Sequence, residues 1–494
     1  EPAPEKYRGM KVKEAREIVA ADIKAAGLME KVDDQYLHAV TVCYKCNTVL
    51  EPRIMMQWYV AMTKAPSPPT PLPWGEGGRR PGEGKSLRDA AVEAVKKGEI
   101  KFVPKRMEKT FMHWMKNLRD WNISRQIVWG IRIPAWYCRS GAHADSNADK
   151  TRISVNQRSH PRKSASMGII VSVNGQPKAC PDCGGANLEQ ESDVFDTWFS
   201  SGQWPFATLN YPDGQDFKNF YPTTVMGPAY EILFFWVARM IMLGIYRTGK
   251  IPFRTVFLHG LVRDKDRKKM SKSRGNVIDP LGVADLYGTD AVRMALVSGT
   301  AAGNDPVISE EKIKGYRNFA NKIWNASRFV LMNLDEGMTM ENVARDFMSR
   351  KSGTRGAALR PDDKKILKKL KTVTKTITRH LDRFEFHLAA ETIYHYFWHT
   401  FADQIIEAQK SRLGTTPNPS SPRRGNDSIS PPFEGGVRGG LDSGDRRVAQ
   451  YVLLTCLTTS LKLLHPFMPF VTEAVCQQIP RKNKSMLITE SWPQ

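Results

Sequence analysis

The chain has 494 residues, with 73 Lys and Arg against 51 Asp and Glu, a formal charge of +22 and seven cysteines. That length exceeds one ordinary domain and calls for three or more parts with separate cores, while the charge implies a polyanionic partner, nucleic acid first. The longest apolar run, Ile232 to Gly244 with Arg239 inside it, is too short to span a bilayer, so no membrane segment is expected.

In chain order, residues 1 to 38 begin with Lys and Glu mixed with Val, Ala and Ile at helical spacing, as in Ala15 to Ile23, and predict an amphipathic helix. Cys43-Tyr-Lys-Cys46 follows, then the strand-like run Met56 to Val60. Residues 65–84 are so rich in Pro and Gly that neither a helix nor a central strand can form, and a disordered insert is expected. A second such insert, 415–440, repeats the order Pro, aromatic, Glu-Gly-Gly, Arg found in the first. The aromatic-rich run Trp121 to Gly130, continuing to Trp136-Tyr137, predicts mostly core side chains.

Cys180-Pro-Asp-Cys183-Gly-Gly is a turn on which two thiolates converge on one tetrahedral ion. No thioredoxin-like βαβ pattern surrounds it, so a zinc site is preferred over a redox pair. Two Cys-x-x-Cys pairs and no signal peptide fit metal sites in a reducing cytoplasm. Tyr230 to Arg239 reads as a helix in which Ile232 and Trp236, four apart, share a face. Thr255 to Leu258 is a β-branched and aromatic strand ending in His259-Gly260, where nucleotides settle on parallel sheets. Next comes Lys269-Met270-Ser271-Lys272-Ser273: two ammonium groups three residues apart on a Ser-rich turn can both reach one polyphosphate. The bland alternative is a solvated basic turn.

From Ser309 the pattern becomes purely helical, through Ile313 to Asn325, Lys364 to Leu413 and Val448 to Gln478. Lys364, Lys365, Lys368, Lys369, Lys371, Lys375 and Arg379 form either a phosphate-binding stripe or a solvated face. His395 and His399 lie one turn apart with no carboxylate partner evident, which favours packing over a metal.

The basic loop resembles the KMSKS signature of class I aminoacyl-tRNA synthetases, which form an aminoacyl-adenylate from ATP and transfer the amino acid to tRNA. Asp193-Val-Phe-Asp196-Thr197-Trp198-Phe199-Ser200-Ser201 is similar to the signature of the valyl branch, as is the Trp121 run. The resemblance implies an α/β chain: the second half of a Rossmann-like nucleotide-binding domain followed by an all-α anticodon-binding bundle. Its divisions are 1–38, the tail of an editing insertion; 39–308, the catalytic domain; 309–478, the bundle; and 479–494, a C-terminal tail. It further implies that Lys269 and Lys272 act in catalysis, with Glu231, His259, Gly260, Met270, Ser271 and Ser273 also on ATP. Trp198, Ile232 and Trp236 would enclose the valine side chain.

By the same resemblance Cys138, Cys180 and Cys183 would hold Zn2+, with His143 a further candidate, and Cys43 and Cys46 would form half of a second site. Valine, ATP with Mg2+ and tRNA(Val) are the implied partners of a cytoplasmic, monomeric protein. Class I members pair KMSKS with an N-terminal His-x-Gly-His, and no histidine here is followed by x-Gly-His. The expectation is the C-terminal part of a valyl enzyme, inactive in isolation; the alternative is a non-catalytic tRNA- or RNA-binding protein.

Overall fold

The computed structural model describes residues 4–33, 35–37, 39–43, 47–50, 55–65, 84–140, 168–172, 175–271, 275–339, 358–415, 443–481 and 485–494. Stretches 66–83 and 416–440 of the two expected inserts lie outside these, as do Cys46, His143, Lys272 and Ser273. The chain divides into two compact units, one of residues 1–57 with 134–191, the other of 58–133 with 192–494.

In the first unit the expected amphipathic helix is Val12–Ala25, and a three-stranded antiparallel sheet has Ala135–Cys138 between Ile169–Val171 and Leu188–Gln190. All four residues of the central strand are buried, and Trp136, Cys138, Cys180 and Leu188 make its small core.

The second unit contains a parallel three-stranded sheet in which Phe253–Phe257 lies between Lys101–Val103 and Thr223–Met226. Buried on both faces, a central parallel strand should be rich in β-branched and aromatic residues, and Phe253, Val256 and the following Leu258 are fully buried. Helices Leu87–Lys96 and Arg239–Thr248 supply apolar side chains to the same core.

Tyr230 to Arg239 is not the single α-helix expected. A 3₁₀ turn, Tyr230–Ile232, opens into a π-turn, Leu233–Ala238, and only then into the α-helix Arg239–Thr248. The wider turn puts Leu233, Val237 and Ala238 all into the core, and such π-turns recur at functional sites. The Trp121 run also differs from expectation. Trp121 and Ile123 are buried, but Ile127, Val128, Trp129 and Ile131 are exposed; between them Gly130 packs on Val194, and a Cβ there would lie 2.7 Å from Val194 Cγ2.

Beyond Ser309, whose hydroxyl caps the helix Glu310–Met332 by accepting from Lys312 N, the regular elements among the described residues are helices. Ile313, Phe319, Ile323, Ala326 and Val330 form its buried stripe at helical spacing. Pro361–Asp382, Phe386–His395, Tyr396–Ile405 in π geometry, Ile406–Leu413, Ser443–Leu464 and Pro469–Cys476 close around one apolar core. Among the described residues no helix is long and apolar enough to cross a membrane.

Candidate functional site

The C-terminal ends of parallel strands leave backbone groups open where the chain peels away, which makes them the usual ligand position in open α/β sheets. Here Gly227-Pro228-Ala229-Tyr230 leaves the Thr223–Met226 strand beside His259-Gly260 leaving Phe253–Phe257. Tyr230 N donates to His259 O at 3.1 Å, and His259 N donates to Pro228 O at 3.1 Å. His259 is exposed, its ring Nδ1 2.8 Å from Gly260 O.

Gly260 has a specific structural reason. A Cβ on it would lie 1.9 Å from the carbonyl oxygen of Asn304, so the 304–305 backbone of the chain itself occupies the face a side chain would need. Asp305 then ties this corner together: its carboxylate accepts from Leu261 N at 2.8 Å and Tyr230 Oη at 3.3 Å, and pairs with Arg263.

The basic loop rises from this corner. Arg263 bridges Lys269 across a tight hairpin, with Arg267 in the left-handed region at φ 61°. Lys269 Nζ lies 3.0 Å from both carboxylate oxygens of Glu231. Two residues predicted from different parts of the sequence, 38 positions apart, are therefore neighbours at the strand ends. Met270 and Ser271 continue the loop.

Trp198, Ile232 and Trp236 are each half-buried. Asp196 caps the short helix Thr197–Ser201 that carries Trp198, and the Trp236 indole N–H donates to Ser201 O at the end of that helix, 3.0 Å away. Trp198 stacks on Phe235 with centroids 6.1 Å apart. The two tryptophans are thus borne on segments hydrogen-bonded to each other.

In the first unit the sulfurs of Cys138, Cys180 and Cys183 lie within 4.8 Å of one another. Their turn is tight: Gly184 N donates to Cys180 O, Cys180 N to Gly185 O, and a Cβ on Gly185 would strike Ser140 Cβ at 2.3 Å. The Cys183 backbone N–H, ahead of other hydrogen bonds, pulls the Cys180 thiol below its ordinary value. Three convergent thiols suit a thiophilic tetrahedral ion, so this cluster can hold zinc. Cys43 is not among the gathered sulfurs. Its turn nevertheless repeats the backbone pattern, with Asn47 N on Cys43 O, Cys43 N on Thr48 O, and Asn47 at φ 56° where Gly184 has φ 72°.

Comparison with known proteins places the chain in a family. Residues 9–309 match the family described as tRNA synthetases class I (I, L, M and V). The chain belongs to that family. Residues 363–494 also match the anticodon-binding domain of tRNA ligases. The valine–tRNA ligase of Clostridium tetani is 40% identical over 492 residues, 99% of this chain and 46% of that protein. The valine–tRNA ligase of Symbiobacterium thermophilum is 41% identical over 482 residues, 97% of this chain and 43% of that protein. The chain therefore spans about half the length of the curated relatives it matches. Among solved structures, apo methionyl-tRNA synthetase of Mycobacterium tuberculosis aligns with a TM-score of 0.55 at 15% identity, covering 90% of this chain and 68% of that one. The same enzyme bound by methionyl-adenylate aligns at 0.52 and 18%, covering 79% and 61%. At these identities the likeness speaks to fold.

In this synthetase bundle all seven cations from Lys364 to Arg379 are exposed on Pro361–Asp382. His395 and His399 stack with centroids 5.7 Å apart, and the carboxylate the sequence did not reveal is Asp403, 3.6 Å from His399. Asp403 also binds Lys322 at 2.7 Å, so it serves an ion-pair cluster.

Sequence reasoning also missed the buried Asp196–Arg239 pair. Asp196 Oδ2 accepts from Trp121 Nε1 at 2.9 Å, with Arg125 Nη2 at 3.1 Å and Arg239 Nη1 at 3.5 Å. Arg239 stacks on Trp121 at 3.7 Å, and burial lowers its pKa to about 10, leaving it charged at neutral pH. The available signal was one arginine inside the apolar run Ile232 to Gly244, which demands a buried partner.

Proposed function

We propose that this chain supplies the KMSKS loop, the amino-acid pocket and the tRNA-binding bundle of a valyl-tRNA synthetase. The observation that carries the reading is the meeting of Lys269 and Glu231 at the open ends of two parallel strands. Glu231 would accept from both ribose hydroxyls of ATP, which only a carboxylate can do with two oxygens. Lys269 and Lys272 would neutralise charge as the valine carboxylate oxygen attacks the α-phosphorus and pyrophosphate departs. His259 and Gly260 would border the adenine, and Met270, Ser271 and Ser273 would also lie on ATP.

Trp198, Ile232 and Trp236 would strip water from an isopropyl group, each methyl worth a few kcal/mol at most in discrimination. The valyl-adenylate would then yield its acyl group to the terminal ribose hydroxyl of tRNA(Val), releasing AMP. Cys138, Cys180 and Cys183 would hold zinc, which would tie the Cys180–Gly185 turn to the Ala135–Cys138 strand. The setting is a cytoplasmic one.

Exposed cations on Pro361–Asp382 support a tRNA-facing role for the bundle. Filter binding of tRNA(Val) across a salt series tests it. Affinity is expected to fall steeply with salt, because each neutralised phosphate releases counterions, and changing Lys364, Lys368 and Lys371 to Gln should flatten the log–log slope by roughly three. An unchanged slope would assign these residues to a solvated face. Salt-sensitive binding to any RNA without preference for tRNA(Val) would favour the non-catalytic RNA-binding reading.

A further inference from the structure

Lys265 to Lys269 form an exposed, basic segment, so its shape must come from hydrogen bonds. Asp264 fastens the near end. Its Oδ1 accepts from Lys268 N at 2.8 Å and Asp266 N at 3.0 Å, while its own N–H donates to Lys268 O at 3.0 Å. Among the described residues, the Asn276 side chain fastens the far end. Asn276 Oδ1 accepts from Ser271 N at 3.0 Å, and Asn276 Nδ2 donates to Asp264 Oδ2 at 2.8 Å and to Lys269 O at 3.3 Å.

Lys269 O and Ser271 N flank Met270 and face the same way, so the amide meets them as a neighbouring strand would, with one donor and one acceptor. The amide orientation follows from its partners: reversed, it would set oxygen against a carboxylate and a carbonyl. No other residue type fits the position equally. Aspartate cannot donate, serine offers one atom where two are needed, and glutamine is one methylene too long.

We propose that Asn276 is a positioning residue of the aminoacylation site, acting through the backbone of Lys269 and Ser271 to set where the Lys269 ammonium lies against Glu231. This rests on the reading of Lys269 as a phosphate-binding cation. Asp264 is its anchor, and the Asn276 amide, followed by the Lys268 N–H, holds the Asp264 carboxyl below its usual range.

Limited trypsinolysis of the whole chain reads the clasp directly, since Arg267, Lys268, Lys269, Lys272 and Arg274 are all cleavage positions. Asn276→Ala is expected to speed cleavage within 267–274 by at least about tenfold, with cleavage elsewhere and the thermal midpoint little changed. Asn276→Asp should do the same by setting its carboxylate against that of Asp264 and the carbonyl of Lys269, and adding Asp264→Asn to it should restore much of the protection by returning a donor–acceptor pair. Unchanged loop cleavage in Asn276→Ala, or equal acceleration along the whole chain, overturns the clasp.

The second arm is valine-dependent ATP–pyrophosphate exchange after mixing with the N-terminal half of a related valyl enzyme. Asn276→Ala should lower kcat by roughly a hundredfold, the scale of a misplacement of about 1 Å, with KM for valine unchanged. If the unaltered chain regains exchange and the variant matches it, the positioning role is wrong. If the unaltered chain never regains exchange, the synthetase reading itself fails, and the trypsin result still decides the clasp.

Discussion

Asp196 shows how one carboxylate organises the segments that bear Trp198 and Trp236. It caps the helix of Trp198, and through Arg239 it fixes the start of the helix that follows Trp236. Both partners are more than nine-tenths buried on their side chains. Removing one member of such a pair leaves a charge without compensation, so Asp196→Ala is expected to cost about 3–5 kcal/mol in urea unfolding. A loss under about 1 kcal/mol would mean that solvent reaches Arg239. Gly260 supports a second residue-scale prediction. Gly260→Ala must push back the backbone of Asn304, 1.9 Å from the new Cβ, and should cost roughly 1–3 kcal/mol whether or not nucleotide is present. Unaltered stability with weakened ATP binding would instead assign the glycine to the nucleotide. Residue types at the site were legible because Lys, Glu and Trp stand in recognisable order. Asn276 and Asp196 were not, since their value lies in partners that only folding supplies.

At the scale of elements, the strand before His259 and the helices after Ser309 could be read from periodicity and β-branched content. The π-turn at Leu233–Ala238 could not, because an apolar run looks alike in α and π geometry and only core packing decides the register. The cysteine turns were legible from spacing, but the convergence of Cys138 needed the strand Ala135–Cys138 to place it. The purified chain is expected to carry one zinc ion by elemental analysis, and Cys180→Ser to release it. Two tightly held ions would contradict this. The corner between Ser443–Leu464 and Pro469–Cys476 gives a pH prediction. His465 Nδ1 lies 2.9 Å from the hydroxyl of buried Thr472, and burial lowers its pKa against the opposing pull of Glu473 and Asp290, with Arg293 reinforcing the fall. A histidine with a depressed folded value takes up protons more readily when unfolded. Its contribution is therefore full above about pH 6.5 and declines as pH falls toward the folded value. Denaturant titrations from pH 7.5 to 5 should show that decline, and His465→Gln should flatten it. An identical slope in the variant would place the titration elsewhere.

For the whole molecule, a charge of +22 agrees with a polyanionic partner, and the match to the anticodon-binding domain at residues 363–494 says which part of the chain to test for it. Glu231, His259, Lys269 and the bundle belong to one compact unit. The relatives are about twice as long, and the KMSKS loop is paired in class I synthetases with a His-x-Gly-His that this sequence does not contain. On the proposed reading the α-phosphate would be held from one side only, which does not give the aligned geometry that adenylate formation needs. Valine-dependent ATP–pyrophosphate exchange, measured on the chain alone and after adding the separately expressed N-terminal half of a related valyl enzyme, tests the central claim most directly. The account predicts no exchange from the chain alone and valine-specific exchange on mixing, abolished by Lys269→Ala. Exchange by the isolated chain, or none on mixing while tRNA still binds, would contradict it.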